Sequence, residues 1–110
     1  MSDIRQARKA LVARILDGRG DASPDQRRAA FSNGRLPEPV SRLVEKVAKH
    51  AYKVTNEDLE AVRIAGFTED QIFELVVCTA IGVATRQYEA ALAAVEAAAG
   101  RTEHASRDHR

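Results

Sequence analysis

Apolar residues recur along this chain at spacings of three and four, the period of a helix with one buried face, and no segment alternates in the manner of a strand. Ile4, Ala7, Leu11, Val12, Ile15 and Leu16 form the first such stripe, predicting a helix over residues 3–17 that stops at Gly18 and Gly20. Ser23, Pro24 and Gln26 supply an N-cap, a first-turn proline and a reciprocal capping side chain. They predict a short helix to about Phe31, ended by Asn33 and Gly34. Pro37 and Pro39 mark a connector. Beyond it Val40, Leu43, Val44, Val47, Ala48 and Ala51 predict a third helix from about Pro39 to Tyr52.

Two starts follow with the same local chemistry. Thr55 precedes an acidic turn, flanked by Val54 and Leu59 as a hydrophobic staple; Thr68 repeats this with Phe67 and Ile72. The helix between them spans about ten residues and ends at Gly66. After Thr68 the pattern changes: Ile72, Phe73, Leu75, Val76, Val77, Ala80, Ile81, Val83 and Ala84 go nearly all the way round a helix, so that segment is expected to be buried on most sides. Carried on through Tyr88, Leu92 and Val95 to about Ala99, this last helix is roughly 46 Å long at 1.5 Å per residue. A globule of this size has a radius of gyration of only about 13 Å. Either the helix breaks near Gly82 or a second subunit covers part of it, and the second is preferred because a helical glycine costs only about 1 kcal/mol. The expected organisation is one all-α domain over residues 1–100, a bundle of about five helices with one long C-terminal helix, and a polar, disordered tail over 101–110.

Composition adds limits. The 110 residues suit one domain with a thin core, and aromatics make up 5% with no Trp, leaving much of the packing to small side chains. No apolar run suits a membrane span and no secretory leader pattern opens the chain, so a cytoplasmic protein without membrane association is expected. Residues 1–53 carry 12 Lys/Arg against 6 Asp/Glu, and residues 54–110 carry 5 against 10, giving halves of +6 and −5. Two surfaces that pair within the fold or between subunits explain this better than nucleic-acid binding, because the basic residues are dispersed and no aromatics interleave them.

Residues 54–77, from Val54-Thr-Asn-Glu-Asp-Leu through Ala65-Gly-Phe-Thr-Glu-Asp-Gln-Ile-Phe-Glu, resemble the second half of the carboxymuconolactone decarboxylase and AhpD-like alkylhydroperoxidase superfamily. The similarity continues through Ala80-Ile-Gly-Val-Ala-Thr-Arg-Gln-Tyr and covers roughly residues 39–96. It implies an all-α domain assembling as dimers to hexamers. In the peroxidase branch a Cys-x-x-Cys motif followed by His, with an upstream Glu, does the redox work. This chain has one cysteine, Cys78, and no such motif. Turnover through an internal resolving thiol is therefore closed to the single chain. The expected role is that of an oligomeric scaffold or small-ligand-binding protein, with no cofactor or metal and with any ligand at the subunit interface.

An enzymatic alternative places acid–base or peroxide chemistry at an interface, using Glu74, Cys78, Arg86 or His50. Cys78 lies one turn after Glu74, and Glu89 follows on the same face. Neighbouring carboxylates and apolar surroundings favour an inert thiol over a reactive thiolate. Glu74 is read either as a proton-transfer group or, preferentially, as the partner of an arginine across a subunit boundary. His50 closes the third helix, where the dipole favours it. His104 and His109 fall in the tail without a ligand framework.

Overall fold

The computed structural model describes residues 2–108, with side chains over 5–100. Five α-helices follow in order: α1 (Ser2–Asp17), α2 (Pro24–Ser32), α3 (Val40–His50), α4 (Asn56–Ile64) and α5 (Glu69–Asp108), with a 3-10 turn at Ala51–Lys53 between α3 and α4. No strand occurs among the described residues.

The helix starts are built as their local chemistry dictates. The Ser23 hydroxyl accepts from Gln26 N at 3.1 Å while the Gln26 side chain accepts from Ser23 N at 3.1 Å. Thr55 and Asp58 form the same reciprocal pair, and Thr68 and Gln71 do so at the head of α5. Asp58 also joins α4 to α3, accepting from Lys46 Nζ at 2.9 and 3.0 Å. That hydrogen bond, with the one from Thr55 N, holds the Asp58 carboxyl below the usual carboxylate range. Asn33, with φ 55°, turns the chain out of α2 in the left-handed region, and Gly66, with φ 108°, does so after α4.

The core sits where α2, α3 and α4 lie against the first three turns of α5. Val40, Leu43 and Val44 come from α3, Ala30 from α2, Val62 from α4, and Ile72, Leu75 and Cys78 from α5. Thr79 is fully buried and satisfies its own hydroxyl by donating to the Leu75 carbonyl at 2.8 Å. Gly82 is the closest crossing point: a Cβ there would stand 1.9 Å from the Phe31 carbonyl oxygen. The helix passes through Gly82 unbroken, so the glycine marks where the end of α2 presses on α5 rather than a break.

Two features of α5 differ from the reading of the sequence. Its backbone stays helical to Asp108, past the end expected at about Ala99; residues 109 and 110 of the expected tail lie outside the described residues. An Ala-rich stretch propagates helix well enough to absorb the cost of one glycine. Nor is the apolar first half covered all round. Phe73 is 68% exposed, Val76, Val77, Ile81 and Val83 are only half-buried, and Ala80 is exposed. Helices α1 to α4 are too short and too few to wrap a helix of 40 residues, so they cover one side of it. The result is an elongated molecule of 68 × 28 × 20 Å with a radius of gyration of 18.4 Å.

The charge asymmetry is partly answered within the chain. Basic α1 runs along the acidic distal part of α5, with Arg5 3.5 Å from Glu96 and Arg8 3.9 Å from Glu89. The Arg8 guanidinium also lies 4.4 Å from the centre of the Tyr88 ring. Among the described residues, no helix is long and apolar enough to cross a membrane.

Candidate functional site

Two concave surfaces flank the first turns of α5. One is a groove of about 510 Å³ between α4 and α5, floored by Leu59, Ile72, Phe73 and Val76. Its rim is ionic: Arg63 stands 3.4 Å from Glu60 and 3.8 Å from Glu69. The other is a smaller cavity of about 180 Å³ beneath the C-terminal end of α1, which contains Glu74 and Cys78.

Glu74 is fixed by the loop between α1 and α2. One carboxylate oxygen accepts from Asp21 N at 2.9 Å and the other from Ala22 N at 2.6 Å. Gln71, one turn earlier on α5, adds a hydrogen bond from its amide to the Asp21 carbonyl at 3.2 Å. The absence of a side chain at residue 20 leaves room for this carboxylate, since a Cβ on Gly20 would lie 2.7 Å from Glu74 Oε1 and displace it. Within the chain, then, Glu74 holds backbone N–H groups rather than an arginine.

Cys78 is 1% exposed, its Sγ 4.0 Å from the Ile15 carbonyl oxygen. Burial pushes the thiol up from its ordinary value; nearby Arg27 pulls it partly back, and Glu74 pushes it further up. Such a sulfur is a poor nucleophile at neutral pH.

The remaining candidates lie on other parts of the molecule. Arg86 is exposed and donates from Nη1 to the Phe31 carbonyl at 2.6 Å, where it covers the end of α2. His50 is exposed at the end of α3, its ring edge-on to Tyr52 with centroids 6.0 Å apart. Of the four, only Glu74 and Cys78 line one cavity. Among residues 5–100 no three His, Cys, Asp or Glu side chains gather in a way that could hold a metal ion.

Arg27 belongs to this site although the sequence does not single it out. It is 4% exposed and donates from Nη1 to the carbonyls of Ile15 at 3.1 Å and Gly18 at 2.7 Å, capping the C-terminal end of α1 from α2. The available signal was indirect: a helix ending at Gly18 leaves carbonyls that some cation or water must satisfy, and Arg27 is the first basic residue of the next helix. Fold and site together define, among the described residues, an all-helical protein with an apolar groove and an arginine-lined cavity at adjoining faces of a long helix. No family model, no curated protein and no solved structure matches the chain.

Proposed function

We propose that this chain is a self-associating helical scaffold, an AhpD-like protein of the carboxymuconolactone decarboxylase type without the redox dithiol, whose α4–α5 groove receives the same groove of a second copy. The observation that carries this reading is the exposure of Phe73 in a helix whose apolar residues encircle it. A groove floored by Leu59, Ile72, Phe73 and Val76 offers an apolar surface onto which a second copy can close. A second copy is the natural occupant on two grounds. The rim carries both signs of charge, with Arg63 beside Glu60 and Glu69, so two copies related by a twofold axis can set arginine against carboxylate. The length of α5 also leaves apolar surface beyond what the chain's own short helices can cover.

The enzymatic alternative draws less support, because Glu74 is engaged by two backbone N–H groups and the Cys78 thiol is pushed towards its protonated form. The decisive measurement is mass in solution by light scattering or sedimentation. The native chain is expected at a multiple of 12.0 kDa, and Phe73→Asp at the monomer mass with its helical circular dichroism retained. A native chain that is monomeric at tens of micromolar, or an oligomer that Phe73→Asp leaves intact, overturns the reading.

A further inference from the structure

The wall of the cavity beneath α1 carries more positive than negative side chains. Arg14, Arg19 and Arg27 all line it, and the one carboxylate in its wall, Glu74, already accepts a backbone N–H on each oxygen. Arg14 and Arg19, like Arg35 and Arg86, form no ion pair with any described residue, but only Arg14 and Arg19 of these four line the cavity. Arg27 is buried, and although its Nη1 donates to two carbonyls, its Nε has no hydrogen-bond partner among the described residues. A buried guanidinium with an unmet donor is costly unless an acceptor completes it.

The rest of the wall is apolar, contributed by Ile15, Phe73, Val77 and the protonated sulfur of Cys78. We propose that this cavity is a binding site for a small monocarboxylate, its charge held among Arg14, Arg19 and Arg27 and its short apolar body against Phe73 and Val77. Guanidinium groups match the planar, two-oxygen geometry of a carboxylate. A space of about 180 Å³ equals the liquid volume of roughly six waters at about 30 Å³ each, room for a short-chain carboxylate. A strongly hydrated dianion such as phosphate fits less well: it leaves the apolar wall unused and meets Glu74 with twice the charge. The site shares Phe73 with the α4–α5 groove and otherwise draws on different residues.

The test is an amide chemical-shift titration of the isotope-labelled full chain with sodium butyrate at fixed pH and ionic strength. Butyramide, inorganic phosphate and the Arg14→Gln/Arg19→Gln variant serve as comparisons. Both substituted arginines are exposed, so the variant keeps its fold, which its own dispersed spectrum checks. Butyrate is expected to give saturable shifts at Ile15, Val77 and Cys78. The variant should weaken binding about tenfold or more, the scale of losing hydrogen bonds to a charged group, and butyramide and phosphate should saturate at far higher concentration. Absence of saturation with butyrate, equal binding of butyramide or phosphate, or an unchanged affinity in the variant would each overturn the proposal.

Discussion

Glu74 and the loop at Asp21 and Ala22 are more than fifty positions apart in the chain, yet two short hydrogen bonds join them. Nothing local in the sequence announces such a pair. Glu74 stands out as a charge within an apolar run, which says that it needs a partner but not which one. Arg27 was hidden for the same reason, because its acceptors are backbone carbonyls of another helix. Cys78 was more legible, since its flanking Val76, Val77 and Ala80 already suggest a buried thiol. Because burial raises the Cys78 thiol in the folded chain, folding favours the protonated form. The stabilisation is complete below the thiol's ordinary value and is lost as pH rises through the higher folded value. Urea unfolding at neutral and alkaline pH should therefore show a loss at the alkaline end that is larger in the native chain than in Cys78→Ala. Alkylation of Cys78 by iodoacetamide at neutral pH should be slow until the protein is unfolded. Rapid modification of the native chain, or identical alkaline losses in the two proteins, would show the thiol to be open.

At the scale of elements, the helix boundaries were the most legible part of the fold. Ser23, Thr55 and Thr68 each settle a start through bonds spanning three residues, so sequence neighbours carry the whole signal. The far end of α5 was misjudged, because Gly100 looks like a stop while helix propagation through alanines continues past it. The covering of α5 was not legible either, since periodicity reports which faces are apolar and not how many neighbours exist to bury them. Gly82 joins α5 to the end of α2 by leaving room for the Phe31 carbonyl. Gly82→Ala gains helix propensity of about 1 kcal/mol, but its new methyl must push backbone aside, with a cost of about 1–3 kcal/mol or more. A net loss of stability in chemical unfolding is expected, where the same substitution at Gly100, whose surroundings are open, should stabilise. A stabilising Gly82→Ala would mean that α2 does not sit this close to α5.

The molecule as a whole is longer than its chain length suggests. Its radius of gyration of 18.4 Å exceeds the roughly 13 Å of a compact domain of this size. X-ray scattering from monomeric Phe73→Asp should return a value close to 18 Å if α5 keeps its full length. A value near 13 Å would show the helix folding back on itself. The charge distribution resolves at this scale too, with α1 and the distal part of α5 drawn together through Arg5, Arg8, Glu89 and Glu96. Such exposed pairs contribute little each, about 0–1 kcal/mol, and serve more to set direction than to hold. The clamp between the α1–α2 loop and α5 has a longer reach, because it ties two positions into one unit of inheritance. A side chain at residue 20 would press on the Glu74 carboxylate that bridges to the loop. Among descendants of this sequence, a larger residue at 20 should arrive more often with a changed residue at 74 than without one.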